Sequence, residues 1–313
     1  MWPAFGAAAP LVIALLLDGL VGDPPNRFHP VAWMGTVIGW VRQVAPQRGR
    51  VLPFLSGVVL LLVGGAVVIG VGLWLQGLVR QLPSPWHWVG EAIILKTTFS
   101  IRGLMRAANQ VRQALEAKDL AQARHLVGWH LVSRDTTQLG PPEVAAATIE
   151  SVSENASDGI MAPLFFYAVG GLPGALVYRF INTADSMLGY HDSELEWLGK
   201  APARIDDVMN LIPARLTAVL IIVAAMFLRG DPVMAWKIWR GEARFTESPN
   251  AGHPMSSMAG ALHVELEKFG YYRLGAGHRF PDVADISIAV RLIYGATALG
   301  AVSLMGLMVL LAL

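Results

Sequence analysis

The chain has 313 residues, 54% of them hydrophobic and only 15% charged, with a mean hydropathy of +0.48. That is too apolar for a domain with an ordinary water-facing surface, and it reads as an integral membrane protein. A formal net charge of +1 leaves no strongly basic face for a nucleic acid, and the absence of cysteine excludes disulfides, thiolate metal sites and a cysteine nucleophile.

The first apolar stretch, about residues 5–22, lacks a basic leader and carries Asp18 late in its run. This argues against a cleaved secretory signal, and the segment is expected to be retained. It runs into DGLVGDPPNRFHPVAWMG, where Asp18, Asp23, Arg27 and His29 gather and where glycine and proline predict a fixed turn. Residues about 51–79 are apolar throughout and exceed the roughly 20 helical residues that a bilayer core requires. The chain then becomes water-compatible. Ile101, Leu104, Met105, Ala108, Val111 and Leu115 recur at helical spacing, with Arg102, Arg106, Arg112 and Glu116 elsewhere around the wheel, which predicts an amphipathic helix. Asp119 is placed to cap a successor running from Leu120 to His130, and Pro142 suits the first turn of the helix after it.

That next helix opens the stretch PPEVAAATIESVSENASDGIMAPLFFY, in which Glu143, Ala147, Glu150 and Glu154 share one face. Like charges one turn apart cost a few tenths of a kcal/mol on a bare helix, so water, a cation or basic partners must compensate Glu150 and Glu154. A solvated face is the plainest reading. Asn155, Asp158 and Gly159, lying just before an apolar run, favour a cation or phosphate site instead.

Two shorter or interrupted apolar segments follow, at about 160–181 and 211–228. The first ends in YRFINTADSMLGY, with Arg179, Asn182, Asp185 and Ser186 close together. The second is introduced by RIDDVMNLIPARL. On a helix Asp206 and Asn210 are four apart and Asp207 and Asn210 three apart, so their oxygens can face one hard cation such as Mg²⁺. Arg204 and Arg215 are forked donors suited to phosphate oxygens. An acidic doublet at the mouth of a span is commonly interfacial, yet four polar clusters beside apolar segments point to a functional site. A fifth stretch, SPNAGHPMSSMAGAL, carries Asn250, His253, Ser256 and Ser257. It reads as a flexible loop in which Gly252 and Gly260 let backbone N–H groups approach a ligand. A last apolar span covers about 289–313, and no long period-2 alternation occurs anywhere.

The predicted fold is all-α: a polytopic integral membrane protein with about four to five membrane-embedded helical segments and an amphipathic helical region between the second and third. It is expected to form a single catalytic domain over 1–313, with a more polar helical insertion at about 80–157.

GDPPNRFHPVAWMG, ESVSENASDGIMAPLFFYAVGGLPGALVYRFINTADSMLGY, ARIDDVMNLIPARL and SPNAGHPMSSMAGALHVELEKFGYY together resemble the CobD/CbiB family, the adenosylcobinamide-phosphate synthases of cobalamin biosynthesis. The likeness runs in order from about Asp18 to Tyr272. It implies a multi-pass ligase of the inner cell membrane that joins the free propionate of adenosylcobyric acid to an aminoalcohol phosphate such as (R)-1-amino-2-propanol O-phosphate, using ATP and Mg²⁺. It also implies association with other membrane enzymes of cobalamin assembly.

A carboxylate does not react with an amine directly, so ATP must first convert it to an acyl phosphate. Positioning and charge neutralisation would dominate the catalysis. Within this reading Glu150, Glu154, Asp158 and His29 are the catalytic candidates, with His29 as a general base for the incoming ammonium. Arg179, Asn182, Arg204, Arg215, Asn250 and His253 are the substrate and phosphate candidates. Asp185, Asp206, Asp207 and Asn210 are the metal candidates, and Glu150, Glu154 and Asp158 belong to the same pool of carboxylates. No GxxxxGK[ST] loop occurs, so ATP would be held by a site of another design. The rival readings are a membrane transferase acting on a Mg-diphosphate substrate and a non-catalytic membrane sensor or transporter.

If every apolar stretch crossed the bilayer, the polar clusters would be split between its two faces. AVGGLPGALVY, centred on Gly170 to Gly174, is therefore expected to be a re-entrant turn, which would leave positions 157 and 193 on one side. Arg27, Arg42, Arg48 and Arg50 favour the cytoplasm for the first loop.

Overall fold

A computed structural model describes residues 2–46, 48–189 and 195–312, with side chains from Gly6 onward in the first helix. Helices α1 (Trp2–Leu20), α2 (Pro30–Val44), α3 (Val51–Val59), α4 (Gly65–Arg80) and α5 (Trp86–Lys96) come first, with a π-turn at Leu60–Gly64 joining α3 to α4. The water-compatible region forms α6 (Ile101–Glu116), α7 (Leu120–His130) and α8 (Pro141–Ala156). A second π-turn, Ser157–Met161, leads into α9 (Ala162–Leu188), followed by α10 (Glu196–Met209), α11 (Leu211–Ala225), α12 (Pro232–Glu242) and α13 (Gly252–Leu262). Two short antiparallel strands, β1 (Leu266–Lys268) and β2 (Tyr272–Leu274), precede the final helix α14 (Val283–Leu311). This hairpin and an isolated parallel bridge between Val264 and Arg279 are the departures from an all-helical chain among the described residues. The hairpin strands are too short to leave an alternating pattern, and Gly270 turns between them at φ 79°.

Among the described residues, three helical runs are long and apolar enough to cross a membrane: Val51–Arg80, Pro141–Leu188 and Val283–Leu311. The pair α10 and α11, broken at Asn210, makes a fourth if its halves form one span, and Gly6–Leu20 is a shorter apolar helix. The protein is a helical polytopic membrane protein. α14 starts earlier than the apolar run suggested, because Asp285 in its first turn is buried against the Arg279 guanidinium at 2.7 Å through both oxygens.

The chain forms two compact units. The first contains residues 1–100, 162–210 and 303–313. Its spine is the helix from Val51 to Arg80, where Gly57, Gly64 and Gly72 leave no room for a Cβ against Leu198, Phe180 and Pro173. Small residues at such positions let membrane helices approach closely.

α9 is not straight. Gly171 sits at φ 62° and ψ −157°, a conformation essentially confined to glycine. A Cβ on Gly174 would run into the carbonyl oxygen of Phe166, and the rings of Phe166 and Tyr178 stack with centroids 5.0 Å apart. Twelve residues of straight helix would separate those rings by about 18 Å. The chain therefore reverses within GGLPG, and α9 is a helical hairpin whose tip, at Gly171 and Pro173, lies against Gln76 and Gly72 of α4. Position 193 lies outside the described residues, and Ser157 is buried.

The second unit contains residues 101–161 and 211–302. The amphipathic stripe of α6 is buried at Ile101, Met105, Ala108, Val111 and Leu115. Asp119 caps α7 by accepting from Gln122 N at 2.9 Å, and Pro141 and Pro142 occupy the first turn of α8. Every residue of α8 from Val144 to Ser153 is buried, so the acidic face runs from an exposed Glu143 through a buried Glu150 to a half-buried Glu154 and is not simply solvated. One expectation changes here. SPNAGHPMSSMAGAL is not a loop, since its latter part is α13, buried along its whole length. Gly252 and Gly260 serve helix packing, for a Cβ there would strike the backbone at Ala243 and at Met234 and Ala235.

Candidate functional site

In the first unit the turn after α1 is organised by a lysine. Lys96, at the end of α5, is 4% exposed and its Nζ lies 3.0 Å from Asp18 Oδ1, 2.6 Å from Asp23 Oδ1 and 3.2 Å from the carbonyl oxygen of Phe99. Ser100 donates to the other oxygen of Asp23. One buried ammonium so bridges two aspartates that would otherwise repel each other, offsetting one of their two charges.

His29 is the N-cap of α2, its Nδ1 accepting from Val31 N at 3.3 Å. Burial holds its pKa below the ordinary histidine value; Asp23 opposes that shift, while Lys96 and Arg179 add to it. The neutral ring therefore carries its proton on Nε2. With Nδ1 accepting from the helix end, this tautomer of His29 presents an N–H donor on Nε2.

The second arm of the α9 hairpin faces α10 through a chain of polar groups. Arg179 Nη1 donates to Asn182 Oδ1 at 3.0 Å, and Asn182 Nδ2 donates to Asp206 Oδ1 at 3.3 Å. Asn210 Nδ2 donates to Asp206 Oδ2 at 2.9 Å, and Tyr178 Oη donates to Asn210 Oδ1 at 2.9 Å. The sequence spacing did bring Asp206 and Asn210 together, but as partners of each other. Both oxygens of the buried Asp206 are taken up by amides. Asp207 is the more open carboxylate, its Oδ2 3.8 Å from the exposed Arg204. Asp185 lies on the same hairpin arm, against Gly189. Among the described residues, no three His, Asp or Glu side chains converge in the manner of a protein-only metal cage.

In the second unit, Glu150 is 4% exposed and its Oε2 lies 3.2 Å from Arg134 Nη2. Glu154 stands one turn further along α8, and Lys268 of β1 and Tyr272 of β2 face the same spot. Burial and the two carboxylates push the Tyr272 phenol well above its ordinary pKa. Arg134 and Lys268 are the basic partners that the paired glutamates require. Asp158 lies in the π-turn directly after α8.

Tyr272 also touches α13, its hydroxyl lying 3.7 Å from Met255 Sδ. Two residues before Met255 is His253, whose Nδ1 accepts from Trp239 Nε1 at 2.8 Å. Burial, reinforced by Arg215 and Arg244, lowers its pKa to about 4. The ring is therefore neutral at pH 7 with its proton on Nε2, a buried N–H that faces the backbone carbonyl of Pro249 without a well-formed hydrogen bond to it. Arg215 Nη1 donates to the Leu211 carbonyl at 2.8 Å and to Asn250 Oδ1 at 3.2 Å. Two guanidiniums and a buried imidazole N–H form a donor set for an anion, and a phosphoryl group supplies matching acceptors.

Sequence reasoning missed Lys96, Arg134, Tyr178, Trp239, Arg244, Lys268 and Tyr272. Tyr178, Lys268 and Tyr272 fall inside the family-like motifs, but the others are joined to the candidates only by the fold.

The chain matches the family described as CobD/Cbib protein over residues 11–296. Cobalamin biosynthesis protein CobD of Dehalococcoides mccartyi (strain CBDB1) is 44% identical over 265 residues, covering 84% of this chain and 85% of that protein. Probable cobalamin biosynthesis protein CobD of Methanothermobacter thermautotrophicus is 41% identical over 265 residues, covering 85% and 86%. Cobalamin biosynthesis protein CobD of Klebsiella pneumoniae subsp. pneumoniae is 38% identical over 300 residues, covering 92% and 93%. No solved structure matches. A family match over most of the chain, joined by relatives of near-equal length at these identities, means that the chain belongs to the CobD/CbiB family.

Proposed function

We propose that this protein acts in cobalamin biosynthesis as an ATP-dependent amide ligase, joining the free propionate of adenosylcobyric acid to an aminoalcohol phosphate such as (R)-1-amino-2-propanol O-phosphate. Family membership supports the pathway. The observation that carries the chemistry is the donor set of Arg215 on α11, Arg244 just after α12 and the buried Nε2–H of His253 on α13, next to the acidic cluster of α8.

In the first step a propionate oxygen attacks the γ-phosphorus of ATP, the bond to the β-phosphate oxygen breaks, and ADP leaves with that electron pair. In the second the amine nitrogen attacks the acyl carbon, inorganic phosphate leaves, and the nitrogen gives up its extra protons. Arg215, Arg244 and His253 would hold phosphoryl oxygens through both steps. Glu154, half-buried beside Glu150, would hold the ammonium and take its proton. Magnesium, when bound, supplies charge neutralisation of the phosphates. The ion usually takes one or two carboxylates and keeps waters and substrate oxygens as its remaining ligands. Asp207 and Asp185 in the first unit and Asp158 in the second are hard oxygen donors of that kind, whereas Asp206 is already committed to amides. Arg27, Arg42, Arg48 and Arg50 support a cytoplasmic position for the first loop.

Corrinoid labelled with ¹⁸O in the reacting carboxylate tests the route. An acyl phosphate transfers one labelled oxygen to inorganic phosphate. Label in AMP, or in neither product, would overturn it.

A further inference from the structure

We infer that the groove between α3 and α10 in the first unit is a binding site for an anionic phospholipid. The groove has a volume of about 730 Å³ and is walled by Phe54, Val58, Leu61, Leu62, Ile181 and Trp197. Its polar groups are confined to cations: Lys200 and Arg204 on α10 line it too. Lys200 Nζ lies 4.1 Å from the centroid of the Trp197 ring, and the Arg50 guanidinium carbon lies 5.4 Å from the same ring. Arg204 is largely exposed, with Asp207 as its acidic neighbour at 3.8 Å.

The placement of these groups matters as much as their charge. Arg50 immediately precedes the helix Val51–Arg80, which is apolar enough to span a membrane, so it marks where that helix meets the surface. A tryptophan between two cations is the chemistry of the membrane interface. From Arg50 the walls descend through Phe54 and Val58 to Leu61 and Leu62, about 18 Å along the helix. A free anion would use only the rim, and an uncharged lipid only the walls. A molecule with an anionic head and a long apolar chain uses both, and basic pockets between membrane helices recognise such lipids.

The test uses the full-length protein purified in a neutral detergent. Phosphatidylglycerol, phosphatidylcholine and glycerol phosphate are each added, and binding is read by native mass spectrometry and by thermal unfolding. Phosphatidylglycerol is expected to bind and to raise the melting temperature, with phosphatidylcholine and glycerol phosphate well behind. At about 1 kcal/mol for each basic residue near a charged surface, Arg50→Gln combined with Lys200→Gln should weaken phosphatidylglycerol binding roughly thirtyfold without changing phosphatidylcholine binding. Val58→Trp, which fills the groove, should weaken phosphatidylglycerol while leaving glycerol phosphate unchanged. Equal binding of the two lipids by the unmodified protein would overturn the proposal without recourse to any variant. Glycerol phosphate matching phosphatidylglycerol, or the double variant keeping its lipid preference, would overturn it as well.

Discussion

Replacing His253 by phenylalanine separates a ligand-binding role from a packing role. A planar aromatic ring is kept, somewhat larger than imidazole, but Trp239 Nε1–H loses its acceptor and the buried Nε2–H is removed. Trp239 is only partly buried, so its unpaired N–H should cost toward the low end of the usual 1–3 kcal/mol, about 1 kcal/mol. A hydrogen bond to a charged phosphoryl group contributes about 1.5–3 kcal/mol, which is roughly a 10- to 150-fold change in affinity. Steady-state kinetics with the phosphate substrates should show KM raised by that factor, beside a small drop in detergent melting temperature. His253→Gln, whose carbonyl can accept from Trp239 while its amide donates outward, should recover most of the loss. Phenylalanine with lowered melting but normal KM would refute the anion site and leave His253 a packing residue. The pH dependence follows from the same ring. Its folded pKa, about 4, lies below the unfolded value of about 6.5, so protons bind preferentially to the unfolded chain between those values. Its contribution to stability should therefore fall as pH drops from 6.5 toward 4, and it should add no titration to KM above about pH 6.

Glu154→Gln should abolish amidation with expression and melting nearly unchanged, as measured by product formation and thermal unfolding; normal turnover would return that face of α8 to a structural role. Asp207→Asn should raise the Mg²⁺ concentration needed for half-maximal rate several-fold, whereas Asp206→Asn should mainly lower the melting temperature, because its oxygens accept from Asn182 and Asn210. Single cysteines at the exposed positions Asn155 and Glu196, introduced into this cysteine-free chain, should react with an impermeant maleimide from the same side of the membrane. Reaction from opposite sides would show that the α9 hairpin does not return the chain to its starting face.

What was legible in the sequence was local. The stripe of α6, the Asp119 cap, the paired prolines of α8 and the reversal at GGLPG each depend on residues within a few turns of one another. The buried state of Glu150 was not legible, because its compensating charges come from Arg134 in the preceding loop and Lys268 on a distant strand. α13 was read as a loop because serine, glycine and proline are weak helix formers. What makes it helical is tertiary: its glycines admit the backbone of α12 where any larger residue would be excluded. The capping role of His29 was not legible for a related reason, since only the fold places its Nδ1 on the end of α2. Lys96 left no signal, its role being set by two aspartates more than seventy residues earlier.

The most direct test of the account is the reaction itself. The purified protein, reconstituted in liposomes, would be incubated with adenosylcobyric acid, ATP, Mg²⁺ and (R)-1-amino-2-propanol O-phosphate, and the corrinoid products weighed by mass spectrometry. The account predicts an adduct heavier than adenosylcobyric acid by the aminoalcohol phosphate less one water, formed only when ATP is present and accompanied by one ADP per amide. Unchanged corrinoid in the presence of all four components and folded protein, or an adduct formed equally well without ATP, would contradict it.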